Sequence, residues 1–189
     1  MGTMSALNYT STWIDETVLA NGRCSKLLRT QLAHHMRLRL YHVHVIMDEI
    51  RGLEGKEKTP SLTKAQGPFR RSPLIGLWHK HHLQPRFLAQ NIALHWNSKK
   101  NRPRLQKIHD EVANGGDAGR AVHELVLDGY SARTANHAAT GEWIIYAPLD
   151  GRNYYLTLGK HGKENSILRN VTACLREYPQ LGSILAFNS

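Results

Sequence analysis

Residues 141–162 read GEWIIYAPLDGRNYYLTLGKHG, and they combine two runs of β-branched and aromatic residues with one tight turn. Asp150 and Gly151 tolerate the positive φ values of a two-residue hairpin turn, so the segment predicts a β-hairpin. A single hairpin is only marginally stable in water. We therefore expect helices, a further strand or a second chain to cover it.

The predicted turn also fixes the pairing of the two strands, because side chains alternate between the faces of a sheet. Counting outward from the turn, the pairs on one face are Ala147 with Tyr154, Ile145 with Leu156, and Trp143 with Leu158. This face is continuously apolar, so we expect it to be buried. Tyr146 and Thr157, on the opposite face, are expected to be more exposed.

The opposite face of the hairpin is half polar. Its members are Glu142, Ile144, Tyr146, Tyr155, Thr157 and, just beyond the second strand, His161. A carboxylate, two phenols and a histidine are the groups that proton transfer to a bound substrate requires. A solvated outer face with no function has the same composition. The sequence leaves both interpretations open.

The composition indicates a basic protein with a polyanionic partner. The 189 residues include 25 Lys and Arg against 15 Asp and Glu, which gives a formal charge of +10. Such a charge favours binding to nucleic acid through phosphate contacts, and we expect RNA in particular. The length admits one domain or a domain with a helical appendage, of which we favour the second. We predict an α+β fold.

Two cysteines, Cys24 and Cys174, lie far apart in the sequence and form no metal-binding spacing. We expect no disulfide framework, no metal and no cofactor. The first residues lack the pattern of a secretory signal, and no long apolar run occurs. The sequence therefore predicts a cytoplasmic protein with no membrane partner.

The chain is predicted to have three parts: an N-terminal helical region over 1–51, a flexible linker or loop over 52–72, and an α+β core over 73–189. Apolar residues recur every three or four positions from Ser25 to Arg51, which predicts one long amphipathic helix. Its cationic outer stripe would contact phosphates, pair with a protein partner or a second copy of the chain, or simply be solvated. Arg70 and Arg71 end the linker and are predicted to bind nucleic acid.

Residues 73–96 contain the cluster His79-Lys80-His81-His82 and are predicted to be helical, with a division at Pro85. On a helix, His79 and His82 share one face and His81 falls on the apolar stripe, as a core histidine. For His79 and His82 the alternatives are a metal site, a role in proton transfer or phosphate contact, and plain surface.

These features favour a metal-independent endoribonuclease that uses histidine acid–base chemistry. The predicted catalytic residues are His161, Glu142, His79, His82 and Tyr155. The predicted nucleic-acid-binding residues are Arg70, Arg71, Arg86, Arg152 and Tyr146. Tyr146 and Tyr155 would stack on an unpaired base, and Arg86 or Arg152 would contact the phosphate.

The order of hairpin, His161 and closing helix is similar to that of small bacterial ribonuclease toxins. The competing interpretation is a non-catalytic RNA- or DNA-binding or regulatory protein, in which the histidines only add surface charge. A third is a structural protein that binds a partner through the long helix.

Overall fold

The computed structural model describes residues 12–56, 61–136 and 141–186, and the side chains of all of these except Arg86 and Ala186. Within these ranges the chain is a mixed α+β protein with eight α-helices and a five-stranded sheet, which confirms the predicted class. The described residues form two compact units. The first unit draws on Met1–Ser61, Ala65–His82 and Glu142–Ser189, and the second on Leu62–Lys64 and Leu83–Gly141.

The first unit contains segments from both ends of the chain. The strands are Arg23–Cys24 (β1), Gly67–Pro68 (β2), Trp78–His82 (β3), Glu142–Leu149 (β4) and Arg152–Gly159 (β5). The α-helices are Lys26–Arg37 (α1), Val43–Leu53 (α2), Leu88–Trp96 (α3), Arg102–Ala113 (α4), Ala118–His123 (α5), Gly129–Ala135 (α6), Glu164–Cys174 (α7) and Gly182–Ala186 (α8).

The sheet of the first unit has the strand order β1-β5-β4-β3-β2. The paired strands β4 and β5 lie at its centre, and Asp150 and Gly151 form their turn with φ values of 50° and 71°. β3 pairs antiparallel with β4, and β1 pairs parallel with β5. The hairpin is therefore not a separate small sheet, because β1 pairs with β5 on one side of it and β3 pairs with β4 on the other.

The pairing of β4 with β5 follows the predicted count only near the turn. Ala147 lies opposite Tyr154 as expected, but an irregularity between Ile145 and Tyr146 shifts the rest by one residue. Beyond it, the pairs are Ile145 with Thr157, Ile144 with Leu158, and Trp143 with Gly159. The predicted pairs beyond that point are wrong, because a bulge of this kind leaves no signal in the hydrophobic pattern.

Both faces of the central strands are buried. One face packs under α1 and α2 in a cluster that includes Leu28, Leu32, Ile46, Met47, Ile50, Ile144, Tyr146, Tyr155 and Leu158. The other face packs against α7 in a cluster that includes Leu74, Leu77, Trp143, Ile145, Ala147, Leu156, Ile167, Val171 and Cys174. The expected exposure of Tyr146 and Thr157 is therefore wrong, since they are 3% and 0% exposed. Helices cover the face that was expected to meet solvent.

The predicted long N-terminal helix is two helices, α1 and α2. α1 ends where Arg39 adopts a left-handed φ of 52°, while the Leu40 amide donates to the His35 carbonyl at 3.0 Å and the Arg39 amide donates to that of Met36 at 3.2 Å. This is the Schellman helix end, which normally has glycine at the left-handed position. Because arginine stands there, the sequence carries no stop signal. No long helix remains for the predicted pairing with a partner.

The segment Trp78–His82 is a strand rather than the predicted helix. Five residues are too few for periodicity to distinguish a strand from a helix, and pairing with β4 over all five residues decides the outcome. In a strand, His79 and His81 share one face, while Lys80 and His82 share the other. The helical grouping of His79 with His82 is therefore wrong.

A half-buried carboxylate, Glu54, holds the segment before β1. Its Oε2 accepts hydrogen bonds from the backbone amides of Ala20, Asn21 and Gly22 at 2.8–2.9 Å, and its Oε1 accepts one from the Tyr155 hydroxyl at 2.7 Å. Desolvation by burial raises the pKa of Glu54, but these hydrogen bonds outweigh it and the pKa is lowered. The ionised form is thus favoured by folding.

We expect Glu54→Gln to lower the free energy of unfolding by about 1–3 kcal/mol near neutral pH, since hydrogen bonds to a charged acceptor are lost. Because the folded pKa lies below the ordinary value of 4.5, the contribution is present above that pH and is lost as the pH falls through the folded pKa. Urea unfolding of both proteins at pH 7 and pH 3 checks this. A difference that is equal at both pH values would contradict it.

The second unit is helical in its described residues. A small cluster of Trp96, Ile108 and Ala121 forms its centre, and the Trp96 Nε1 donates to the Leu125 carbonyl at 2.8 Å. α5 begins after its cap residue, Asp117, whose Oδ1 accepts a hydrogen bond from the Arg120 amide at 3.1 Å. Among the described residues of both units, every helix is too short or too polar to cross a bilayer.

Candidate active site

A basic groove of about 840 Å³ lies on the first unit. The basic residues that line it are Arg70, Arg71, Lys163 and Arg169, all exposed, and Glu164 is the one acidic residue among its lining residues. The two arginines come from the segment between β2 and β3, whereas Lys163 and Arg169 come from the start and first turns of α7. Such a groove attracts phosphate groups.

Aromatic side chains form part of the groove wall. Trp143, Phe69 and His79 line it, and their ring centroids lie 4.7–5.2 Å apart in each pair. Phe69 meets Trp143 edge to face at 84°. Flat, partly accessible rings beside cations are the surface on which nucleic acid bases stack.

Two more histidines surround Trp143. The His161 ring lies 3.8 Å from the Trp143 ring, between centroids, and His81 lies 6.2 Å from it. His81 and His161 stack at 5.6 Å with an angle of 23° between their planes. His161 is exposed, His79 is half-buried and His81 is 5% exposed. We call Trp143, His79, His81 and His161 the histidine cluster.

The local structure explains why this cluster forms. Strand alternation on β3 sends His79 and His81 to the same side, and His81 lies directly opposite Trp143 on β4. β5 ends at Gly159, and a turn with Gly162 at a φ of 74° leads into α7. This turn places His161 against Trp143.

The indole nitrogen of Trp143 is a buried donor. Trp143 is 7% exposed and belongs to the apolar cluster that packs against α7. Its Nε1 makes no hydrogen bond within the described part of the chain. Buried N–H groups in native structures nearly always have a partner, so this one needs an explanation.

Glu142 and His82 lie on the other side of the sheet. Glu142 accepts a short hydrogen bond from the Tyr41 hydroxyl, and Lys160 Nζ lies 3.5 Å from its Oε1. The Tyr41 ring is 5.7 Å from that of His82 and stacks on His35 at 4.0 Å. Of the predicted catalytic residues, the structure thus brings together His161 and His79, and separates Glu142 and His82 from them.

The two predicted tyrosines are in the core. Tyr155 is 0% exposed, and burial together with its hydrogen bond to Glu54 raises its pKa strongly. Tyr146 is 3% exposed, and burial raises its pKa to about 12. Neither ring has a free face for a base, and Tyr155 cannot reach a substrate. Their predicted roles in stacking and catalysis are wrong, because α1 and α2 cover this face.

The predicted arginines fall in three places. Arg70 and Arg71 line the groove. Arg152 begins β5 at the turn, seven residues before Gly159, which is roughly 23 Å along a strand, so it lies far from His161. Arg86 lies in the turn Pro85–Phe87 of the second unit, and its side chain is outside the described ones.

The sequence pattern did not single out Phe69, Lys163 or Arg169. It also did not indicate that His81 and Trp143 lie close to His161. Alternation in the run Trp78–His82 would have grouped His79 with His81, had the segment been treated as a strand. The helical spacing of α7 alone did not indicate that Arg169 shares a groove with Arg70. Among the described residues, no three His, Cys, Asp or Glu side chains are arranged to hold a metal ion.

Comparison of the chain with protein-family models, with curated proteins and with solved structures finds no match.

Proposed function

We propose that this protein is a metal-independent endoribonuclease whose active site combines the basic groove and the histidine cluster. The observation that carries the proposal is that His161 and His79 both contact Trp143, which lines a groove with four basic side chains. Two imidazoles and nearby cations are the groups that RNA cleavage without metal requires.

The reaction proposed is internal transfer at a phosphodiester. One histidine accepts the proton of a ribose 2′-hydroxyl, and the 2′-oxygen forms a bond to phosphorus. The bond from phosphorus to the 5′-oxygen breaks, and a second histidine donates a proton to that oxygen. The products are a 2′,3′-cyclic phosphate and a 5′-hydroxyl. Arg70, Arg71 and Arg169 offset the charge that develops on the phosphate oxygens.

His161 is the better placed of the two proton carriers, because it is exposed and follows the end of β5. His79, half-buried in the groove wall, is its proposed partner. His81 stacks on His161 from the buried side and is proposed to position that ring.

A site-specific 2′-deoxy substitution tests this chemistry. Single-stranded RNA is incubated with the protein, and the cleaved positions are mapped against the same RNA with one 2′-deoxynucleotide at a cut position. We expect the cut 3′ of the substituted nucleotide to disappear while the others persist. Cleavage that continues there would exclude the 2′-hydroxyl as the attacking group.

Charge neutralisation in the groove should change how RNA binding depends on salt. Each phosphate contact with a single strand contributes about 0.7 to the slope of log affinity against log salt concentration. The double variant Arg70→Gln, Arg71→Gln is expected to reduce that slope by about 1.4. Fluorescence anisotropy with a labelled RNA at several salt concentrations measures it.

The matched control is Lys99→Gln, Lys100→Gln, which removes the same charge from exposed positions in the second unit. It should leave the slope nearly unchanged. Equal effects of the two double variants would show that only net charge matters and would count against the groove.

A non-catalytic nucleic-acid-binding protein is the second candidate. It is favoured by the combination of Phe69 and Trp143 with arginines, which suffices for binding without any proton transfer. Salt-sensitive RNA binding with no cleavage would support it over the enzyme.

A further inference from the structure

The indole N–H of Trp143 lacks an acceptor in the described part of the chain, although the side chain is more than nine-tenths buried. Burying a donor without a partner destabilises the folded protein, and an acceptor supplied by a bound ligand or by ordered water removes that cost. Trp143 also lines the basic groove. The residue that carries this unsatisfied donor is thus part of the groove wall.

The groove offers two further kinds of contact around this donor. Phe69 is half-buried and lines the groove beside Trp143, with ring centroids 5.2 Å apart. Arg70 follows it directly in the chain, and Arg169 faces the same groove from α7. A flat apolar ring, a hydrogen-bond donor and cations together match a base followed by its phosphate.

The base must be unpaired to use such a ring. In a double helix the faces of the bases are covered by their stacked neighbours, and only edges and phosphates are accessible. A single strand can turn a base outward onto an aromatic side chain.

We propose that the groove binds a single-stranded nucleic acid, with one base against Phe69 and a phosphate oxygen that accepts a hydrogen bond from Trp143 Nε1. This inference deepens the proposed function and rests on it in one respect, which is that the same groove receives the substrate. It adds two points to the proposed function: the substrate is a single strand, and Trp143 binds it.

The experiment measures binding without cleavage. A labelled oligothymidylate of DNA has no 2′-hydroxyl, so the proposed reaction cannot occur on it. Its affinity is compared for the parent protein, Trp143→Phe, Phe69→Leu and Trp78→Phe. Trp143→Phe keeps an aromatic ring and removes the N–H. Trp78→Phe is the matched control, because alternation on β3 places Trp78 on the opposite side from His79.

We expect Trp143→Phe to weaken binding about 10- to 100-fold, the range for a lost hydrogen bond to a charged acceptor. Phe69→Leu should weaken it about 10-fold through lost stacking. Trp78→Phe should bind within about twofold of the parent. A self-complementary duplex of the same length should bind more weakly than the single strand at equal salt.

Parental affinity in Trp143→Phe, or duplex binding equal to that of the single strand, would overturn the inference. Thermal unfolding of each variant shows whether it is folded. If Trp143→Phe is unfolded, the affinity of Phe69→Leu is the test, and parental affinity in that variant would overturn the inference. RNA cleavage is measured separately on the parent. If binding depends on Trp143 and the parent does not cleave RNA, the inference is supported and the proposed enzymatic activity is refuted. If the parent cleaves RNA and Trp143→Phe binds as tightly as the parent, the enzymatic activity is supported and the inference is refuted.

Discussion

Replacing His161 with alanine is expected to lower the rate of RNA cleavage by about 10²- to 10⁴-fold, the usual contribution of a general acid or base. The side chain is exposed, so its loss should leave folding intact. RNA affinity should also change little, because the proposed phosphate contacts come from the arginines of the groove. Single-turnover cleavage and anisotropy measured on the same preparations separate these effects.

His109→Ala is the matched control, since His109 is an exposed histidine of the second unit. It should cleave at the parental rate. His79→Ala should resemble His161→Ala if His79 is the second proton carrier. A His161→Ala variant that cleaves as fast as the parent would remove the main residue of the enzyme and leave the binding protein in its place.

Replacing Glu49 with alanine is expected to lower the free energy of unfolding by about 3–5 kcal/mol, the usual effect of removing one member of a buried ion pair. Glu49 Oε2 lies 3.3 Å from Lys80 Nζ, and both side chains are more than 90% buried. Ser61 joins them, donating to Glu49 at 2.8 Å and accepting from Lys80 at 2.9 Å. Desolvation lowers the pKa of Lys80, and Glu49 opposes that shift.

Urea unfolding measures this effect. The control is the double variant Glu49→Leu, Lys80→Met, which removes both charges and keeps apolar volume, and it should recover much of the loss. A decrease of less than about 1 kcal/mol for Glu49→Ala would show that this pair contributes no more than an exposed ion pair.

Some of the fold could be predicted because its signals are local. The turn at Asp150 and Gly151, the α+β class and the cap at Asp117 each follow from a few neighbouring residues. The end of α1 at Arg39 could not, since no glycine stands at the left-handed position. The bulge beside Tyr146 and the strand Trp78–His82 depend on pairing with distant residues, which periodicity does not show.

The site could be predicted in part for the same reason. Residue type and charge were enough to single out His161, His79, Arg70 and Arg71. Their arrangement was not predictable, because treating β3 as a helix grouped His79 with His82 instead of His81. The burial of Tyr146 and Tyr155 was also not predictable, for a separate reason.

The half-polar face that includes Tyr146 and Tyr155 has the alternating pattern of a sheet face exposed to solvent. In the structure, α1 and α2 bury that face. Glu54 accepts the hydroxyl hydrogen of Tyr155 there. The polar groups of this face therefore serve the core, and the proposed chemistry lies on the side of Trp143.

The most direct test of the proposed activity is the cleavage of a single-stranded RNA in the presence of excess EDTA, with the ends of the products identified by mass spectrometry. The proposed mechanism predicts cleavage that persists in the chelator, yields 2′,3′-cyclic phosphate and 5′-hydroxyl ends, and is lost in His161→Ala. No cleavage, cleavage abolished by the chelator, or products with 5′-phosphate ends would contradict it.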